Sequence, residues 1–164
     1  MRTMRVARLI VHARSRQPVL VLAETDGDRC LPIFLRRPQA DVIAVGPRGA
    51  DDPLLPQDVL VPVLRGLGHQ LDGAELTELT DGVFSAVLVL DGGTRVAVLP
   101  SDALAVAVRE GLSIAVAEEI LDAVGQPVEE VFPDGTGAPA QQQVEEFRSF
   151  LDGVTPDDFG TPDR

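Results

Sequence analysis

Three turn signals, each set between two apolar runs, restrict the folds open to this chain more than any other feature. Asp26-Gly27 separates Val19–Glu24 from Arg29–Leu35. Asp81-Gly82 separates Leu71–Leu79 from Val83–Leu90. Gly92-Gly93 separates Val83–Leu90 from Arg95–Leu99. Asp-Gly and Gly-Gly accept the positive φ angles of tight hairpins, so the runs on either side are expected to pair antiparallel. Arg5–Ala13 adds a further strand before the turn Ser15–Pro18, and Ser113–Ala117 another near the end.

Helical spacing interrupts these strands. Pro38 and Gln39 open a pattern with Ala40, Ile43 and Ala44 on one face, ending near Gly46. Gln57–Leu67 repeats Val59, Leu60, Val63, Leu64 and Leu67, with Pro62 expected to kink the helix or shift its start. Ser101–Glu110 and Glu118–Val124 are the remaining helices of the body. Hairpins mixed with helices give an α+β fold: a mixed, mainly antiparallel sheet packed with helices, plus a C-terminal amphipathic helix. That last helix is expected at 142–151, with Val144, Phe147, Phe150 and Leu151 on one face. The expected division is a domain over 1–125, a Pro- and Gly-containing linker over 126–141, and an acidic helix and tail over 142–164.

Charge is distributed unevenly. Residues 118–164 hold twelve acidic residues and two arginines, while residues 1–117 are close to neutral. The net charge of −12 therefore belongs mostly to the tail and opposes tight duplex binding at long range. Every basic residue is arginine. One cysteine, Cys30, allows no intrachain disulfide and is expected in the core. No apolar run is long enough for a membrane span, and the start M-R-T-M-R-V-A-R has no apolar targeting core, so a cytoplasmic protein without membrane association is expected.

The residues that could carry chemistry cluster around Val96–Gly111, where an apolar strand meets Pro100 and a helix opens on Ser101 and Asp102 and closes on Arg109. Taken locally, Ser101 is a helix N-cap, Asp102 favours the positive end of the helix dipole, and Arg109 the negative end. Taken functionally, Asp102 faces a cleft and holds a metal or positions a water. Asp102 and Arg109 are about two turns and ~10 Å apart, which puts them on one face, too distant for a salt bridge but able to line one groove. Arg36-Arg37 is a candidate phosphate contact before a helix. Asp51-Asp52 and Asp26-x-Asp28 read as turns. His12 and His69 are not at metal-ligand spacing.

Motifs across residues 4–124 carry a resemblance: V-L-V-L-A-E (19–24), L-P-I-F-L (31–35), Q-A-D-V-I-A (39–44), L-P-Q-D-V-L (55–60), D-G-V-F-S-A-V-L (81–88) and P-S-D-A-L-A-V-A-V-R (100–109). In order and spacing the chain resembles the bifunctional nuclease family. That resemblance implies a nuclease hydrolysing phosphodiester bonds of DNA and RNA, and homo-oligomers. It nominates Asp102, Ser101, Arg109 and Asp58 as catalytic residues. Asp58 and Asp102 would be ligands of a divalent metal such as Mg²⁺ or Mn²⁺, with Arg36 and Arg37 on the nucleic acid. The chain departs from the family pattern in one direction. Arg36 stands for a usual Gly, Gln39 for Glu, Gln57 for His, Ala97 for Asp and Leu99 for Arg, and Ser85 follows Phe84 in place of Tyr. Loss of acid–base groups lowers hydrolytic rate by orders of magnitude. The alternative expectation is therefore a non-catalytic nucleic-acid-binding or assembly module.

Overall fold

The computed structural model describes residues 1–12 and 14–131. Eight strands form one sheet: β1 (Arg2–Val11), β2 (Pro18–Glu24), β3 (Arg29–Phe34), β4 (Leu71–Thr80), β5 (Val83–Leu90), β6 (Arg95–Val98), β7 (Ser113–Val116) and β8 (Gln126–Pro127). Five helices accompany them: α1 (Arg37–Val45), α2 (Leu60–Gly66), α3 (Pro100–Glu110), α4 (Glu118–Val124) and the single turn α5 (Val128–Val131). The strand order is β6-β5-β4-β7-β1-β2-β3-β8. Every pairing is antiparallel except β4 with β7. The expected α+β class and mainly antiparallel sheet are what the chain adopts.

Two three-stranded meanders, β1–β2–β3 and β4–β5–β6, supply most of the sheet. The β4–β5 turn is built as its sequence demands, with Asp81 at φ 52° and Gly82 at φ 77°. Strand β7 joins the meanders, lying antiparallel to β1 and parallel to β4. Helix α3 carries the chain from edge strand β6 back over β5 and β4 to reach that slot. Gly73 permits the parallel pairing. A Cβ there would sit 2.7 Å from the Ser113 Oγ and 2.9 Å from its carbonyl oxygen.

Helices α1 and α3 pack on one face of the sheet and enclose the main core. Its contributors include Leu20, Leu22, Leu31, Ile33, Leu76, Leu88, Leu104 and Ile114. Strand β2 is buried along its whole length, so its other side chains need a second cover. Val19, Val21, Ala23 and Cys30 form that second cluster, packed against Ala7, Val128 and Val131. Cys30 is fully buried, as expected, and burial pushes its thiol pKa up.

Several element ends differ from the sequence reading. The Gln57–Leu67 pattern is split into a 3₁₀ turn over Pro56–Val59 and α2, which places Pro62 in the first turn of α2, where its missing N–H costs nothing. The sheet continues past residue 125: Gln126 and Pro127 pair with Cys30 and Arg29, and α5 follows directly. The amphipathic segment expected at 142–151 lies outside the described residues.

Candidate functional site

Helices α1 and α3 lie side by side with their N-termini together, and the contacts at their two ends divide the expected site residues into two groups. Arg36 precedes α1 and Leu99 precedes α3, each helix carrying proline in its first turn. Between these N-termini, Arg36 Nη2 donates to both carboxylate oxygens of Asp102, at 2.8 and 3.0 Å. Gln39 Nε2 donates to Asp102 Oδ1 at 2.6 Å. Arg36 Nε reaches the Ser101 hydroxyl at 3.4 Å. Two helix N-termini and a guanidinium thus surround one carboxylate, which is the electrostatically favoured sign there. Arg36 and Asp102 remain 54% and 39% exposed, so the pair stands at the surface.

Ser101 does not cap the helix. Leu99 occupies that position, and Ser101 is a buried first-turn residue. The sequence placed the helix start one residue late because Pro100 is itself the first helical residue, a position it favours. Gln39, absent from the expected site, completes the Asp102 cluster. Its Oε1 is buried without a hydrogen-bond partner. The signal for it was in the sequence, in the departure from an acidic family position at residue 39.

At the opposite end of α3, Arg109 and Asp58 form a buried ion pair, both residues less than 3% exposed. Arg109 Nε donates to Asp58 Oδ1 at 3.0 Å and Nη2 to Oδ2 at 3.2 Å. The Leu55 N–H also donates to Asp58 Oδ2, at 2.8 Å. The remaining guanidinium hydrogens reach the carbonyls of Gly46 and Pro53, and Asp52 lies 3.5 Å away. The Arg109 hydrogen bonds hold the Asp58 carboxyl below its usual range against the upward push of burial, and Asp58 in turn raises Arg109. The pair fastens the α1 end, the 47–55 loop and the 3₁₀ turn to α3.

Asp102 and Arg109 do share a face of α3, but helix α1 fills that face: residues at its start meet Asp102, and Gly46 just past its end meets Arg109. Arg37 interacts along α1 with Asp41, whose pKa burial raises and Arg37 lowers. A pocket of about 110 Å³ near Arg65, His69 and Glu110 lies at the far end of α3 from Asp102.

This donor arrangement does not fit a divalent cation. The Asp58 oxygens are satisfied by Arg109 and Leu55, and those of Asp102 by Arg36 and an amide N–H. Among the described residues no three His, Cys, Asp or Glu side chains converge on a metal-sized site. Asp51-Asp52 belongs to a turn, as expected, with the Gly49 N–H donating to Asp52 Oδ2. His69 lies 3.2 Å from Asp91, and His12 contacts Ser15 and the edge of Phe34.

A third polar cluster was not anticipated. Glu24 ends the fully buried β2 and is itself 3% exposed. It accepts from Arg2 Nε at 2.8 Å and from Arg29 Nε and Nη2 at 3.1 and 3.0 Å. Arg29 also reaches Glu118 and Asp122 of α4. The Arg29 hydrogen bonds lower the Glu24 carboxyl pKa to about 2 despite burial. A glutamate closing an apolar strand five residues before an arginine across a hairpin is the pattern that would have exposed this cluster.

The chain matches the bifunctional nuclease domain over residues 20–129, a span that contains β3 to β7 and helices α1 to α4. It is 38% identical over 157 residues to two uncharacterized proteins of Mycobacterium tuberculosis, from strains CDC 1551 / Oshkosh and ATCC 25618 / H37Rv. The alignments cover 94% of this chain and 96% of each relative. The chain belongs to the bifunctional nuclease domain family, which gives it a nuclease-like or nucleic-acid-related role. No helix among the described residues is long and apolar enough to cross a membrane.

Proposed function

We propose that this chain is a nucleic-acid-binding member of the family in which phosphodiester hydrolysis is lost or strongly reduced. The observation that carries this reading is the neutralisation of both candidate carboxylates by arginine. Asp58 is sealed in a buried ion pair, and Asp102 is held by Arg36 and Gln39. A carboxylate so engaged is a poor base and a poor metal ligand, because an incoming cation must first displace a guanidinium. Phosphate binding asks less of the same group. Arg36 is over half exposed and sits between two helix N-termini, so a phosphate oxygen could exchange with Asp102 for its donors. Association between copies belongs to the same proposal and is supported by the open edge strand β6, where Val96 is exposed.

Hydrolysis is the competing reading, favoured by the surface position of Asp102 in the first turn of α3. One pair of assays separates the two. Labelled single-stranded DNA and RNA are incubated with the protein in Mg²⁺ or Mn²⁺, and binding is followed by fluorescence anisotropy. The expected result is salt-sensitive binding with intact substrate, weakened about tenfold by Arg36→Ala. Metal-dependent cleavage abolished by Asp102→Ala would overturn the proposal.

A further inference from the structure

Helix α3 ends on a carboxylate that its own dipole does not favour. Glu110 closes the helix at its negative end. Its side chain is only 11% exposed, and its Oε1 is buried without a hydrogen-bond partner. Arg48 Nε stands 3.8 Å from that oxygen, too far to donate a hydrogen bond but close enough to offset the charge. The Arg48 backbone N–H donates to the Arg109 carbonyl at 2.8 Å, which holds this arginine at the end of α3. A buried acceptor without a donor costs about 1–3 kcal/mol, a cost that an incoming N–H group recovers. Glu110 borders the pocket of about 110 Å³, whose apolar wall is Val61, Leu71 and Leu112. Arg65, in the last turn of α2, borders the same pocket and makes no ion pair among the described residues.

We propose that this pocket takes an unstacked cytosine of a single strand, with its exocyclic amine on Glu110 and its phosphate on Arg65. Size selects a single ring. A sealed cavity of ~150 Å³ takes benzene, so a pocket of about 110 Å³ with exposed Arg65 at its rim admits a six-membered ring and not the fused rings of a purine. Charge selects a neutral donor. Arg48 already offsets the Glu110 carboxylate, so a ligand ammonium gains little there, whereas an amine N–H supplies what Oε1 lacks. A carboxylate accepts from cytosine N4 and repels the O4 oxygen that uracil and thymine carry in its place. The apolar wall meets the ring, and a guanidinium is the natural partner of the phosphate. The choice of a nucleotide among compact N–H donors rests on the nucleic-acid-binding reading above. The pocket is nevertheless a separate contact, because Arg36 and Asp102 lie at the other end of α3. It reads a base, where Arg36 holds the backbone.

The test uses the full chain, with all-cytosine and all-thymine single-stranded DNA followed by fluorescence anisotropy, and cytidine monophosphate, uridine monophosphate and cytidine followed by titration calorimetry. Cytosine strands are expected to bind about tenfold or more tighter than thymine strands, and cytidine monophosphate tighter than uridine monophosphate by a similar factor. Glu110→Gln should remove or reverse both preferences, since its amide can donate to O4. Arg65→Ala should leave the base preference in place and abolish the advantage of cytidine monophosphate over cytidine. Equal binding of cytosine and thymine strands overturns the proposal, as does a preference that Glu110→Gln leaves unchanged. Mononucleotide binding no tighter than that of inorganic phosphate also overturns it, because the site would then recognise an anion alone. Strand binding that depends on Arg36 but shows no base preference sinks this pocket and leaves the nucleic-acid-binding reading intact. Cytidine monophosphate binding without any strand binding sinks that reading and makes the free nucleotide the ligand, against the strand proposed here.

Discussion

Replacing Arg109 with methionine tests most directly whether the Asp58 carboxylate holds the fold together or serves chemistry. Methionine preserves much of the apolar stem but removes the guanidinium donors to Asp58 and to the two carbonyls. A carboxylate less than 3% exposed then keeps only the Leu55 N–H. Breaking a buried pair in this way costs about 3–5 kcal/mol, against a total stability of about 5–15 kcal/mol for a typical domain. Asp58→Asn should cost less, about 2 kcal/mol, because the amide oxygen can still accept from Leu55 and Arg109 keeps its two carbonyls and Asp52. The double variant should be less damaging than the sum of the singles by ~2 kcal/mol. The chain has no tryptophan or tyrosine, so urea unfolding is followed by far-UV circular dichroism. Asp58 gives a further check through pH. Its folded pKa lies below the ordinary value, so its contribution is present at neutral pH and is lost as pH falls through the carboxylate range. Without Arg109 the folded carboxyl instead prefers its proton, so Arg109→Met should recover stability on mild acidification where the parent loses it. A loss under ~1 kcal/mol for Arg109→Met, or strictly additive singles, would refute the structural role of the pair.

Two further substitutions probe the sheet. Glu24 has a folded pKa of about 2 against an ordinary value of 4.5, so its stabilisation is full above pH 4.5 and disappears as pH falls toward 2. With the partners Arg2 and Arg29 partly exposed, the contribution is discounted to about 2 kcal/mol. Glu24→Gln should remove that acid-dependent step from unfolding curves recorded across this window. Gly73→Ala forces a Cβ against the Ser113 carbonyl and should lower stability by about 1–3 kcal/mol by urea titration. Ser113→Ala should not rescue it, since the carbonyl contact is unchanged.

Periodicity and turn chemistry made the elements legible because each is a local property. The Asp81-Gly82 turn, the start of α2 just before Pro62 and the αL glycine that ends α3 all follow from residues within a few positions. What periodicity could not reach was partnership across the chain. Nothing local says that Arg109 turns toward Asp58 or that Asp102 takes Arg36, because those pairs depend on α1 and α3 lying side by side with their N-termini together. The family departures at residues 36 and 39 were visible in the sequence. Only the packing shows that both changed side chains close on the same carboxylate. A strand-terminal glutamate ordinarily faces water, whereas Glu24 is enclosed by arginines of β1 and β3, the second of which also reaches α4.

The slot occupied by β7 has a consequence for the order in which the protein is assembled. Each meander can zip up from hairpins of neighbouring sequence as soon as its own strands exist. Their union cannot, because the strand that seams them arrives at Ser113–Val116, after both are complete. On a growing chain the β1–β2–β3 half must therefore wait, with β1 an unpaired edge, through the synthesis of some eighty further residues. The last seam, four residues long, converts two separate ribbons into one continuous sheet, and its closure is the step at which the molecule commits to its final topology.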